Sequence, residues 1–448
     1  MTAEPPTPSV PARNDSRNIF GWCMYDWANS AYITTTIGLL PIYFATVVVG
    51  AEGLLWRGTR YEADTVWAFL VGAADFLAFL CAPVLGAIAD FSATKKRFLL
   101  FFAYLGALFT LLLFFSQSGD VYRTMAFFAI AQLGFINANV VYDAFLPEIA
   151  SEDKMDWISG KGYSYGYVGG GIQFGLALAL VAGHDVVGIS QQLAVRLGIA
   201  SSGVWWAAFT LFTARYLREA PSTATLPDRF RNWPVWLAYP AVGLSRTWRT
   251  TLRVGRFRHL VLFLLAFMLY NDGIQTVIAM ATTYGTVELG LPAWALMLTL
   301  LIIQGVATLG AIAFSRLAAL LGTRQTIMVT LVLWTGVVIY AYFIQTITEF
   351  FALGMVVGVV LGGSQALSRS FYSSMIPQGA SAEFFGFYTV FSKFSSIWGP
   401  LVFAVIRHTV GSSRLAIISL VVFFVAGLAL LAFVDEAKAR EARLAGAF

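Results

Sequence analysis

Five charged side chains stand out within the long apolar stretches of this chain. They are Asp26, Asp75, Asp272, Arg369 and Lys393, and each lies in a segment long enough to cross a bilayer. A charge at the centre of a membrane helix costs roughly 2.5–3.5 kcal/mol, so each of these needs a partner, a wet cavity or a proton. A carboxylate that alternates between a proton and a cationic partner is suited to moving ions and small charged solutes.

Polar neighbours accompany two of the five charges. The run Tyr25-Asp26-Trp27-Ala28-Asn29-Ser30 places residues 26, 29 and 30 on one helix face, and Asp272 has Asn271 and Gln275 beside it. The alternative is that the charges form fixed ion pairs that latch parts of the protein together. The predicted substrate-binding or proton-binding residues are Tyr25, Asp26, Asn29, Asp75, Tyr142, Asn271, Asp272, Gln275, Arg369 and Lys393.

The elements that position these residues are membrane helices. Hydrophobic residues make up 58% of the chain and charged residues 12%, against about 45–50% and 25% in soluble domains. The apolar runs are too long for strands and do not alternate, so they predict helices. Twelve are expected, at 19–49, 64–89, 98–116, 121–145, 162–183, 193–216, 257–285, 292–315, 326–344, 347–376, 384–406 and 415–434.

A repeat divides the chain into two halves. Leu-Gly-Ala-Ile-Ala occurs at 85–89 and at 309–313, half of the chain length apart, and each copy closes an apolar segment. The sequence therefore predicts an all-α membrane protein with twelve transmembrane helices in two pseudo-symmetric six-helix bundles. The expected parts are a disordered tail 1–18, a bundle 19–216, a linker 217–256, a bundle 257–434 and a tail 435–448. The arginines and tryptophans of the linker suit a helix that lies on lipid headgroups, and a plain basic linker is the alternative.

The basic residues orient these helices. With the N-terminus in the cytoplasm, 21 of the 29 lysines and arginines fall on the cytoplasmic side and six outside, with two inside segments. The positive-inside rule thus predicts a multi-pass inner-membrane protein with both termini cytoplasmic. The glycines at 166, 169, 170 and 171 lack the Lys-Ser/Thr ending of a phosphate loop and predict close helix packing.

Two sets of motifs carry a family resemblance. Gly86 and Asp90, followed by Lys95 and Lys96, resemble the signature loop of the major facilitator superfamily, with Phe91 and Ala93 departing from the pattern. Asp90 is expected to cap a nearby helix N-terminus. The runs Gly21–Ser30, Ala144–Pro147, Gly166–Gly171, Tyr270–Gly273, Gly362–Ser370 and Phe384–Tyr388 resemble the vacuole-effluxer-like branch, bacterial type. This resemblance implies a transporter fold, a cavity lined by the first, fourth, seventh and tenth helices, and an amino-acid substrate.

We therefore expect a secondary transporter of a small polar solute, an amino acid, working by alternating access with proton coupling. A lipid or drug exporter and a transport-inactive membrane receptor remain alternatives. The chain is expected to be a monomer in the lipid bilayer and to bind no nucleic acid, metal or cofactor. It shows no nucleophile–base pattern of an enzyme, and Cys23 and Cys81 suggest no disulfide.

Overall fold

The computed structural model describes residues 12–220, 230, 232–253, 255, 257–377 and 379–444. Among these residues, twelve helical spans are long and apolar enough to cross a membrane, as the sequence predicts. Those of the N-terminal half are TM1 (Ser16–Gly38, Leu40–Tyr43 and the π-helical Phe44–Val49), TM2 (Ala63–Ser92), TM3 (Lys95–Leu112 and Leu113–Phe115), TM4 (Val121–Ala144 and Leu146–Ile149), TM5 (Glu152–Lys154 and Met155–Ala182) and TM6 (Gln191–Tyr216).

The C-terminal half has the same number of spans. They are TM7 (Arg258–Val287), TM8 (Ala293–Leu321), TM9 (Thr323–Ala341), TM10 (Ile347–Met375), TM11 (Ser381–Phe394 and Trp398–Val410) and TM12 (Ser413–Ile418 and Val421–Ala432). TM11 is not the continuous helix that the sequence predicts over 384–406, because it breaks at residues 395–397.

Four shorter elements complete the described chain. An antiparallel hairpin (Leu54–Trp56 and Thr59–Tyr61) joins TM1 to TM2, and a single helical turn (His184–Val187) precedes TM6. The hairpin is an addition to the predicted all-α class. The linker helix (Val235–Arg253) lies between the halves, and the C-terminal helix (Glu436–Leu444) ends the described chain. Most of the predicted disordered tail, residues 1–11, lies outside the described residues, as do 221–229 of the linker.

The two halves meet along two seams. TM2 packs against TM11, and TM5 packs against TM8. Counted from the start of each half, TM2 corresponds to TM8 and TM5 to TM11. The two seams therefore join equivalent pairs of helices, which is the arrangement of two pseudo-symmetric bundles.

Both ends of the described part of the chain lie on one face of the molecule, here called the terminal face. Asn14 donates a hydrogen bond to the Ser151 hydroxyl (2.8 Å), and Arg443 pairs with Glu152 (2.9 Å). The halves are in contact at this face, where Thr323 of TM9 donates to Asp156 of TM5 (2.7 Å). The molecule is thus closed at the terminal face.

Candidate functional site

A cavity of about 500 Å³ lies between the two halves. Its lower end, toward the terminal face, holds Asp26, Asp143 and Arg369. Its upper end reaches Tyr284 and Phe350, close to the opposite ends of TM7 and TM10. TM1, TM4, TM7 and TM10 line it as expected, and TM5, TM8, TM9 and TM11 contribute as well. The cavity therefore extends from the closed face toward the opposite side of the membrane.

Arg369 of TM10 forms the centre of the cavity floor. Its side chain is 2% exposed and reaches across into the N-terminal half. Nη1 lies 3.0 Å from Asp143 and 3.4 Å from Asp26. Nε donates to the Ser159 hydroxyl (3.0 Å) and Nη2 donates to the Ser159 carbonyl (2.9 Å). Each of these polar partners belongs to TM1, TM4 or TM5, so this one side chain joins the two halves.

Aromatic rings enclose the guanidinium. Its central carbon lies 4.1 Å from the ring centre of Tyr163, 4.8 Å from Trp22 and 5.4 Å from Tyr142. Such cation–π contacts gain strength when they are shielded from water. Tyr142 also donates its hydroxyl to Asp26 (2.8 Å), which fixes that carboxylate beside Arg369. The rings therefore hold the charges in a fixed geometry.

Asp26, Asp143 and Arg369, here called the ion-pair cluster, do not balance in charge. Two carboxylates share one guanidinium, so the ionised cluster carries one excess negative charge. An excess charge at membrane depth is unfavourable unless water, a proton or a cation compensates it. The cluster opens onto the cavity, so a proton or a positively charged group has access to it.

Lys393 forms a second ion pair between the halves. Its ammonium group lies 3.0 Å from Asp75 of TM2. Gln132 donates to the other Asp75 oxygen (2.9 Å), and Tyr32 donates to Gln132 (3.0 Å). Lys393 lines the cavity, whereas Asp75 stands behind it. This pair balances in charge, which matches the alternative of a latch.

Asp272 does not line the cavity, in contrast to the role predicted for it. Its carboxylate accepts a hydrogen bond from the backbone N–H of Gly399 (2.9 Å), at the start of the second part of TM11. A carboxylate at a helix N-terminus stabilises the exposed N–H groups there. Asn271 donates to Ser395 (2.5 Å) in the break itself. These neighbouring side chains of TM7 therefore bind the interruption of TM11.

The remaining predicted residues divide between the cavity wall and the protein interior. Asn29, Asn271, Gln275 and Tyr142 line the cavity, and Asn29 donates to Asn139 (2.7 Å). Tyr25 is fully buried behind the wall, with its ring centre 5.0 Å from that of Tyr142.

The signature loop holds the TM2–TM11 seam closed at the terminal face. Asp90 accepts hydrogen bonds from the backbone N–H of Ala382 (3.1 Å) and of Glu383 (2.8 Å), which is the helix cap that the sequence predicts. Gly86 lies directly against the Ala382 carbonyl, where a Cβ would collide. The Lys95 ammonium group pairs with Asp90 (2.9 Å).

The neighbouring backbone of the loop is held by Glu219. Its carboxylate accepts hydrogen bonds from the N–H groups of Lys95 (2.8 Å) and Lys96 (3.0 Å). Burial raises the pKa of Glu219, and these two hydrogen bonds oppose that rise. Lys96 thus contributes through its backbone.

Sequence reasoning missed Asp143, Ser159 and Tyr163. A signal for Asp143 was present, because Tyr142-Asp143 repeats the Tyr25-Asp26 pair of TM1. Its position at the end of the predicted segment 121–145 gave it the appearance of an interfacial residue. Ser159 precedes the predicted segment 162–183, whereas TM5 begins earlier in the structure.

The family model described as "Vacuole effluxer Atg22 like" matches residues 14–444. The chain belongs to this family. It is 34% identical to the uncharacterized MFS-type transporter YxiO of Bacillus subtilis over 418 residues, which cover 93% of this chain and 94% of YxiO. Autophagy-related protein 22-1 of Neosartorya fischeri is 30% identical over 305 residues, covering 64% of this chain but only 49% of the fungal protein. The chain thus spans about half the length of that fungal relative.

The fold of this Atg22-like chain is also found among solved structures. The human organic anion transporter MFSD10 superposes with a TM-score of 0.69 at 15% identity, covering 93% of this chain and 99% of MFSD10. These comparisons confirm the predicted family, the multi-pass membrane fold and the assignment as an MFS-type transporter. The relatives named here are transporters, not enzymes.

Proposed function

We propose that this Atg22-like protein is a secondary active transporter that moves an amino acid or a similar small polar solute and couples its movement to protons. The observation that carries the proposal is the ion-pair cluster, in which Asp26 and Asp143 share Arg369 on the cavity floor. A proton, or the ammonium group of a substrate, would neutralise its excess negative charge.

The composition of the cavity wall supports a zwitterionic substrate. Amide side chains project into it from both halves, namely those of Asn29, Asn139, Asn271, Gln275, Gln304 and Gln365. In our proposal, Asp26 or Asp143 receives the substrate ammonium group, and Lys393 or Arg369 receives its carboxylate. Asp272 has no part in this proposal, because its carboxylate binds the TM11 break.

Alternating access requires the seams to part at the terminal face. In that step Arg369 would leave Asp26, Asp143 and Ser159, which all belong to the other half. Breaking a buried ion pair without replacement costs about 3–5 kcal/mol. A substrate carboxylate beside Arg369 and a proton on the cluster would lower this cost, which is how loading would be linked to the change of state.

We place the protein as a monomer in the cell inner membrane with both termini in the cytoplasm. The positive-inside distribution of lysine and arginine supports this orientation. The closed terminal face would then be cytoplasmic, and the cavity would extend toward the outside.

The test is uptake and counterflow of a panel of amino acids in proteoliposomes, with and without a pH gradient. We expect at least one amino acid to exchange, and to accumulate only when the gradient is imposed. Asp185→Asn, in the exposed helical turn before TM6, is the matched control and should behave as the wild type. Exchange without any response to the gradient would exclude proton coupling. Binding of a solute without flux would favour a receptor.

A second candidate, export of a lipid or drug, is favoured by the upper cavity. Its wall there is apolar, with Val277, Val338, Ile344, Phe350 and Leu353. Efflux of an amphipathic dye, combined with no exchange of any amino acid, would support this candidate against the first.

A further inference from the structure

We propose that the linker helix (Val235–Arg253) is a docking surface for anionic lipid in the leaflet at the terminal face. The helix has two apolar faces. One is buried through Ala238 and Val242. The other consists of Leu237, Leu244, Trp248 and Leu252, which are 41%, 63%, 64% and 68% exposed. Their spacings of seven, four and four place them on one side of the helix.

The buried face fixes the direction in which this stripe points. Gly243 lies against Val84 and Ile88 of TM2, and the Tyr239 ring lies 6.0 Å from that of Phe91. The helix is therefore held on the outer wall of TM2, one to two turns from the end of that span.

A second contact, to TM11, completes the attachment. Arg246 lies 3.5 Å from Glu383. The linker helix thus crosses the TM2–TM11 seam, and its exposed stripe points away from the bundle. The wall of TM2 just above it, at Leu77 and Leu80, is 50% and 52% exposed and belongs to a membrane span. By their spacing, Leu77 and Leu80 lie on the same face of TM2 as Val84 and Ile88, so acyl chains are the occupant that fits the stripe beside them.

Charge selects the kind of lipid. Residues 217–256 contain seven arginines and two acidic residues, an excess of five positive charges, which equals the net charge of the whole chain. Arg249 lies next to Trp248 at the flank of the stripe and is exposed. Its Nε donates a hydrogen bond to the Ser245 carbonyl of the same helix (3.4 Å), and the ion pairs found among the described residues do not include it. Apolar residues flanked by exposed arginine are typical of helices that bind anionic headgroups, with about 1 kcal/mol for each basic residue near the surface.

Titration of the purified, delipidated full-length protein with phosphatidylglycerol or phosphatidylcholine, followed by native mass spectrometry, tests the headgroup preference. We expect tighter binding of phosphatidylglycerol, and a loss of about fivefold in that preference for Arg249→Gln. Arg57→Gln, at an exposed arginine near the opposite face, is the matched control and should leave it unchanged. An equal preference in wild type and Arg249→Gln would overturn the proposal.

The position of the exposed stripe relative to the lipid headgroups is tested separately, in nanodiscs that contain phosphatidylglycerol. A fluorophore on Leu244→Cys, in a Cys81→Ser background, should be quenched by lipids that carry a spin label near the headgroup. The same fluorophore on Glu441→Cys, exposed on the C-terminal helix, should not. An unquenched fluorophore at Leu244→Cys would show that the stripe faces water or a protein, and would overturn the proposal. Neither readout depends on transport.

Discussion

Asp143→Asn should separate proton coupling from substrate movement. Asp143 and Asp26 lie 3.0 and 3.4 Å from Arg369, which corresponds to about 5 kcal/mol of attraction each at an effective dielectric constant of about 20, before desolvation. The variant keeps one carboxylate for one guanidinium, and the asparagine oxygen still accepts a hydrogen bond. We therefore expect a stability loss of only about 1–2 kcal/mol, below the cost of a fully broken buried pair.

The variant cluster is neutral and has no excess charge for a proton to compensate. With one proton per solute, a pH difference of about two units drives roughly hundredfold accumulation in the wild type. Asp143→Asn should reduce this ratio to about one, while counterflow of labelled for unlabelled solute continues. The assay is uptake into proteoliposomes with and without an imposed pH gradient, and counterflow is measured on the same preparation.

Gradient-driven accumulation at the wild-type level in Asp143→Asn would refute the assignment of the proton to the cluster. Arg369→Gln is the opposite perturbation, because it leaves two buried carboxylates without a counter-ion. It should abolish both accumulation and counterflow. Asp75→Asn, which removes a carboxylate from the balanced pair, serves as the comparison for the loss of one negative charge elsewhere in the membrane.

Three further outcomes are expected. Gly86→Val should push TM2 away from the backbone of TM11 and shift the population toward opening at the terminal face. A cysteine on the cavity floor should then react about tenfold faster with a maleimide added from that side. Gly72→Val, at a position where no atom lies within 4 Å, is the control and should not change this rate. Lys393→Gln and Asp75→Asn should each destabilise the protein, and a double-mutant cycle should return a coupling of about 1 kcal/mol, whereas zero coupling would exclude the latch. Asp272→Ala should lower stability by about 1–3 kcal/mol through an unsatisfied backbone donor, measured by thermal unfolding in detergent, without changing the pH response of transport.

Much of the fold follows from single-residue properties. A bilayer requires long apolar helices, and basic residues are favoured in the loops on the cytoplasmic side. Such rules predicted twelve spans and two halves without any knowledge of contacts. They did not predict the hairpin at Leu54–Tyr61, which is too short for a periodic signal. They also missed the interruption of TM11, because residues 395–397 are no more polar than their neighbours.

The site was harder to predict than the fold, because it depends on which charges meet. Asp26 and Arg369 are 343 positions apart, and their pairing follows only from the way in which the two halves meet. The same sequence logic gave Asp272 and Asp26 equal standing. The structure separates them, since one carboxylate meets a guanidinium and the other a helix N-terminus. A sequence shows the cost of burying a charge but not the group that compensates it.

The Arg369 side chain extends from the C-terminal half into a site whose walls all belong to the N-terminal half. Its aromatic walls and both anions would stay behind when the halves rock apart, so the guanidinium cannot slide gradually into a new site. Without substrate, the transporter would then remain in the state that is closed at the terminal face and would rarely change state. Neither solute nor protons would therefore leak across the membrane. Tight coupling then needs no separate gate, since the change of state depends on the withdrawal of this one side chain.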